Sequence, residues 1–128
     1  MHLGYIIIYV EDVPMTVSFY EKAFGLKLRF IDESNQYAEL ETGTTSLAFA
    51  NENFAMPSHQ FRLNRTKDQA AGVEIAFVVD NVEEQFKHAV DSGAIEIAKP
   101  TRKPWGQTVC YVRDHNGFLV ELCDAIKD

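Results

Sequence analysis

Tyr5-Ile6-Ile7-Ile8-Tyr9-Val10-Glu11-Asp12-Val13-Pro14 decides the fold, because it holds a strand, a helix cap and a first helical turn in succession. The unbroken β-branched and aromatic run from Tyr5 to Val10 reads as a buried central strand. Asp12 is placed to cap a helix whose first turn tolerates Pro14. Val17, Phe19, Tyr20, Ala23 and Phe24 then supply an apolar stripe that stops at Gly25, so the spacing predicts a helix over Val13–Phe24.

Outward from this helix, Leu26–Ile31, Tyr37–Thr42 and Ser46–Ala50 alternate as strands, separated by the turn formers Asp32-Glu33-Ser34-Asn35 and Gly43-Thr44. A shift of 69 residues lays Val10-Glu11-Asp12-Val13 on Val79-Asp80-Asn81-Val82, and the grammar repeats. Val73–Val79 reads as a strand, Val82–Ser92 as a helix ended by Gly93, and Ile95–Ile97 as a short strand. A Pro-bounded loop over Lys99–Pro104 follows, then strands over Gln107–Val112 and Phe118–Cys123 around the turn Asp114-His115-Asn116-Gly117. The reading is α+β: two βαβββ modules, about 1–50 and 73–128, in one domain of 128 residues. Between them lies a connector, 51–72, in which periodicity fails.

Composition narrows the function. With 12 basic against 19 acidic residues and a net charge of −7, no Lys/Arg cluster is available to follow a phosphate backbone or an anionic bilayer. Nucleic acid and membrane are therefore poor partners, and a small molecule is the expected one. Tyr5–Val10 is far short of the ~20 residues that cross a bilayer and follows no basic leader. Cys110 and Cys123 read as buried thiols, which points to a reducing cytoplasm.

The candidate chemistry is carboxylate chemistry. Glu74 sits between Val73 and Ile75, and Glu121 between Val120 and Leu122, where an ionised side chain needs a partner or water. Should both face one cleft, like-charge repulsion raises one pKa and makes a general acid/base pair; a solvated strand end is the competing reading for Glu74. Trp105, held between Pro104 and Gly106, reads equally as a stacking wall or a core plug. Tyr5 and Tyr37 offer phenols or are simply half-buried sheet residues. His2, His88 and His115 read as surface residues, and His59 lies in the connector near Phe54 and Phe61. Asp114-His115-Asn116-Gly117 lacks the later ligands of a calcium loop and reads as a β-turn. No Gly-rich phosphate loop, Ser-His-Asp set or CxxC pair is present.

Tyr9-Val10-Glu11-Asp12-Val13, Phe19–Leu26, Phe77-Val78-Val79-Asp80, Lys103–Gln107 and Asp114–Leu122, set in the doubled βαβββ order, together resemble the vicinal oxygen chelate superfamily of glyoxalases, bleomycin-resistance proteins and extradiol dioxygenases. The resemblance implies two modules whose curved mixed sheets enclose a cleft, often in a homodimer. It also implies metal ligands on the first and last strands of each module. Carried onto this chain, those positions are Tyr5, Ser46 or Leu47, Glu74 and Glu121, with Leu47 opposite Glu121 when Gly43 is aligned on Gly117. Two carboxylates without an imidazole make a poor cage for Zn²⁺, Ni²⁺ or Fe²⁺, which leaves no cofactor or a weakly bound divalent ion such as Mg²⁺ held by Glu74 and Glu121. An extradiol dioxygenase, which needs two histidines there, is disfavoured.

The expected function is binding of a small organic molecule in an acidic, aromatic cleft without a tightly held transition metal. Tyr5, Trp105, Tyr37 and Leu47 line the ligand in this reading, and Glu74 and Glu121 act on it. The alternative is a glyoxalase-type lyase or isomerase in which Glu74 and Glu121 move a proton.

Overall fold

The computed structural model describes residues 1–56 and 58–126 and divides into two compact units, Met1–Asn64 and Arg65–Asp128. In the first, the elements are β1 (Tyr5–Val10), α1 (Val13–Phe24), β2 (Lys27–Ile31), β3 (Tyr37–Glu41), β4 (Ser46–Asn51) and the single-turn α2 (Glu52–Ala55). Its sheet runs β1-β4-β3-β2, with β1 and β4 parallel and the remaining pairs antiparallel. In the second, β5 (Glu74–Val78), α3 (Val82–Asp91), β6 (Ile95–Arg102), β7 (Thr108–Arg113) and β8 (Leu119–Cys123) repeat the plan as β5-β8-β7-β6. Each unit is an open mixed sheet with one long helix against one face, which makes the class α+β.

The two crossovers are built alike. Asp12 Oδ1 accepts from the Met15 amide at 3.0 Å and Asn81 Oδ1 from the Glu84 amide at 3.1 Å, so each helix starts on a side-chain cap. Gly25, at φ 69°, closes α1 in the left-handed region. Val13, Val17, Tyr20 and Ala23 of α1 are buried together with Ile8, Val10, Leu40, Leu47 and Phe49 of the sheet, and the rings of Tyr20 and Phe49 lie 4.8 Å apart. Val82 and Ala89 of α3 are buried, as are Cys110, Val112, Val120 and Leu122 of their sheet. Among the described residues, no second long helix packs on either sheet.

Three expectations change. The Tyr5–Val10 strand is an edge strand, not a central one, because β4 returns between β1 and β3. Its first half, Tyr5 to Ile7, is accordingly exposed. The predicted loop over Lys99–Pro104 is largely strand: β6 runs through Pro100 to Arg102, and its pairing with β7 shifts register between Ala98 and Thr101. Proline is tolerated there because β6 is an edge strand and the irregularity needs no ladder donor from Pro100.

The connector over 51–72 is also less open than its sequence implies. Strand β4 extends to Asn51 and α2 follows it. Asn64 Nδ2 then donates to the Tyr9 carbonyl at 3.0 Å, tying the end of the first unit to β1. In the second unit, Arg113 donates to the carbonyls of Arg65, Thr66 and Asp68, which fixes that stretch against the β7–β8 turn.

Candidate functional site

Strand register places the two glutamates. Parallel pairing sets Glu74 beside Leu119 and Ala76 beside Glu121, and antiparallel pairing sets Glu121 opposite Tyr111. Val120 and Leu122 are buried on the helix side, so by alternation Glu74, Glu121 and Tyr111 share the face without a helix. Cys123 follows Glu121 on the same face, next to Val78 and Val109.

The Glu121 carboxyl group lies close enough to that of Glu74 to shift its titration. Glu74 is exposed at the start of β5, and the partial desolvation there, the interaction with Glu121 and the repulsion between the two charges push its pKa from 4.5 up to about 7. The Tyr111 phenol and the Cys123 thiol lie near Glu121, and the thiol donates to the Phe77 carbonyl at 3.8 Å. Burial, followed by these acidic neighbours, raises the Tyr111 pKa and holds the Cys123 thiol up at about 11. At neutral pH the phenol and the thiol are therefore protonated donors, and Glu74 is poised between its two states.

The first unit carries the same positions with different chemistry. Tyr5 pairs with Ser46 and Ile7 with Ala48, while Ala48 lies opposite Glu39. Matching the two registers makes Tyr5 the counterpart of Glu74, Ala48 that of Glu121, and Glu39 that of Tyr111. Leu47 corresponds to Val120 and is buried on the helix side beside Leu40, so the expectation that it lies opposite Glu121 and lines a ligand is corrected. The segment from Gly43 to Ser46 is one residue longer than that from Gly117 to Leu119, and a one-residue slip moves a side chain to the opposite face.

The other predicted residues are dispersed. The Tyr37 hydroxyl donates to Glu39 Oε2 at 2.7 Å, and burial followed by this carboxylate raises its pKa, with a smaller contribution from Tyr5. Trp105 is neither a core plug nor near Glu74. It is exposed on the β6–β7 hairpin, its indole N–H donating to Gln107 Oε1 at 2.9 Å, beyond the end of the sheet opposite to Glu74. His59 hydrogen-bonds the Tyr9 hydroxyl through Nε2 at 2.8 Å, and Phe61 stacks on Tyr9 at 4.2 Å. His2 and His88 are exposed, whereas His115 is half-buried in its turn. Asp114 accounts for that turn: its Oδ1 accepts from the amides of Asn116 and Phe118, and Gly117 at φ 91° closes the loop.

The donor set does not fit a tightly held transition ion. Among the described residues no three His, Cys, Asp or Glu side chains converge as a metal site. Glu74 and Glu121 offer two carboxylates, and among the described residues no imidazole joins them in such a group.

A family model for the Glyoxalase/Bleomycin resistance protein/Dioxygenase superfamily matches residues 2–122, and the chain belongs to that superfamily. It is 24% identical to the uncharacterized protein YraH of Bacillus subtilis over 124 residues, 95% of this chain and 97% of that protein. Among solved structures, a glyoxalase-related enzyme from Fulvimarina pelagi matches 98% of this chain and 88% of its own, with a TM-score of 0.82 at 18% identity. TioX from Micromonospora sp. ML1 matches 97% of this chain and 98% of its own, with a TM-score of 0.71 at 21% identity. At those identities the structures speak for the fold alone. Among the described residues no helix is long and apolar enough to cross a membrane.

Proposed function

We propose that the protein binds a small organic molecule over the helix-free face of the second sheet and exchanges a proton with it through Glu74 and Glu121, without a tightly held transition metal. One observation carries this reading: strand register sets Glu74 and Glu121 on one face of the sheet, and Glu121 helps to push the Glu74 pKa up to about 7. A group poised at ambient pH is both an adequate base and an adequate acid. Ionised Glu74 takes a proton from a carbon next to a carbonyl, the C–H electron pair moving into an enediolate. The neutral acid then returns the proton to the same or the adjacent carbon. Tyr111, kept protonated, is available to donate to the oxygen on which charge develops. The reaction class is that of a lyase or isomerase.

The test is solvent-deuterium incorporation into hydroxyacetone and into a hemithioacetal, followed by proton NMR at pH 7.5. Wild-type protein should catalyse exchange, and Glu74→Gln should lower it ~10²–10⁴-fold. Absence of exchange by the wild type with either compound sinks the reading.

The excess of 19 acidic over 12 basic residues favours a second reading, sequestration of a cationic molecule, in which the acid pair supplies charge. Glu74→Gln should then weaken binding of a cationic ligand while no exchange is seen. We also propose a cytoplasmic homodimer. Its support is that Tyr5 and Ile7 on edge strand β1 and Val78 on edge strand β5 are exposed apolar side chains, and that Cys110 and Cys123 are free thiols. Light scattering at micromolar concentration reads the dimer directly.

A further inference from the structure

We infer that the first unit carries a carboxylate-binding pocket organised by Arg29. The pocket has a volume of about 330 Å³ and is lined by His2, Gly4, Tyr5, Arg29, Thr44 and Ser46. In a chain with seven more negative than positive charges, none of these six residues is acidic.

Arg29 is held from two sides. Its Nη1 donates to Ser46 Oγ at 3.1 Å, and its Nε faces Glu41 Oε1 at 3.4 Å. Nη2 has no partner among the described residues, so its N–H groups and the second N–H of Nη1 stay available to a carboxylate. Arg29 sits where the β2–β3 pairing shifts register between Leu28 and Phe30.

The walls are fixed by hydrogen bonds of their own. The Ser46 amide donates to the Gly4 carbonyl at 2.8 Å and Thr45 Oγ1 to the Leu3 carbonyl at 2.6 Å, latching the turn before β4 onto the start of β1. Ser46 is 4% exposed, and having accepted from Arg29 its hydroxyl retains a proton with no acceptor among the described residues. The Thr44 and Tyr5 hydroxyls are likewise free of any hydrogen bond among those residues. A buried hydroxyl proton and a half-committed guanidinium directed into a cavity without carboxylates call for an acceptor-only group.

Charge selects a carboxylate over a phosphate. Arg29 offers one positive charge, and Glu41 beside it already offsets part of that charge, so a monoanion suits the site better than a dianion. The exposed Tyr5 ring at the pocket suits a carboxylate attached to a flat apolar body. Tyr5 also stands at a ligand position of the superfamily pattern, but neither Glu74 nor Glu121 lines this pocket, so the two readings fail separately.

The test is titration of ¹⁵N-labelled protein with sodium benzoate, benzamide and inorganic phosphate, followed by amide chemical shifts. Benzoate should bind in the millimolar range, with shifts concentrated at residues 2–5, 29 and 42–47, and at least ~10-fold more tightly than benzamide or phosphate. Arg29→Gln should weaken benzoate ~10-fold or more, Arg29→Lys several-fold because the fork is lost, and Ser46→Ala several-fold, each with the spectrum otherwise superposable and the Glu74 titration unmoved. Equal binding of benzamide, equal or tighter binding of phosphate, shifts located elsewhere, or undiminished benzoate binding by Arg29→Gln would each overturn the inference. Should Arg29→Gln fail to fold, Arg29→Lys and Ser46→Ala decide it by the same comparison.

Discussion

The Glu74–Glu121 contact makes stability depend on pH in a direction opposite to that of an ordinary carboxylate ion pair. In the unfolded chain Glu74 titrates near its ordinary value of 4.5, whereas in the folded chain it holds its proton until about pH 7. Between those values the native state binds more protons than the unfolded state, so stability falls as pH rises. The contribution is fully present below pH 4.5 and lost above about pH 7. At 1.36 kcal/mol per pH unit the interval is worth about 3 kcal/mol before screening. Glu74 is exposed on the strand end, and screening by solvent reduces this to about 1–2 kcal/mol.

Glu121→Gln isolates the effect by removing the neighbouring charge while keeping a polar side chain of the same size. Partial desolvation at the strand end is the largest cause of the raised pKa and persists in the variant, so Glu74 should titrate about one pH unit lower but still above 4.5. Carboxyl ¹³C shifts of labelled glutamate, followed from pH 3 to 10, read this directly. Urea midpoints at pH 4.5 and pH 8 give the linked stability. Attributed to this group, the wild type should lose about 1 M in midpoint between the two, and the variant about half of that. A Glu74 midpoint near 4.5 in the wild type, or one that Glu121→Gln leaves in place, would refute the reasoning.

Dialysis against Ni²⁺ or Zn²⁺ should leave far less than one ion per chain by elemental analysis; stoichiometric metal that disappears in Glu121→Ala would contradict the donor-set argument. Cys123 should react slowly with iodoacetamide at pH 7.5, since burial and Glu121 hold its thiol at about pH 11, and Glu121→Gln should speed that reaction as followed by peptide mass spectrometry. Gly117→Ala should destabilise the chain by about 2–3 kcal/mol in urea unfolding. Its φ is +91°, and a Cβ there would lie 2.7 Å from the Arg65 carbonyl oxygen; a loss under 0.5 kcal/mol would mean that the turn relaxes at little cost.

The sequence was most legible where one local rule decided an element. Asp12 and Asn81 cap both helices as their spacing predicts, and Gly25 ends α1 at the expected residue. It was least legible where the answer depended on which strand becomes a neighbour. Nothing in Tyr5–Val10 says that β4 will insert beside it, so an apolar run that reads as a buried centre is an edge. The Pro100 segment failed for the same reason: proline excludes a central strand, but the sequence does not state that β6 is peripheral.

The site divides along the same line. Glu74 and Glu121 were visible as carboxylates in apolar strands, while Tyr111 was missed although the information to find it was present. Strands β7 and β8 are joined by a tight turn, so partners keep a constant sum of residue numbers: Arg113 with Leu119, hence Tyr111 with Glu121. The strand β4 position could not be obtained by aligning glycines, because the turn before β4 has one residue more than the turn before β8, and alternation converts that single residue into the opposite face. Counted by register, the position is Ala48, which has no donor atom. A ligand set drawing one side chain from the first and last strand of each unit therefore takes Tyr5 and Ala48 from the first and Glu74 and Glu121 from the second. In the proposed reading the chemistry rests in the second unit, where Glu121 adjoins Glu74 and raises its pKa.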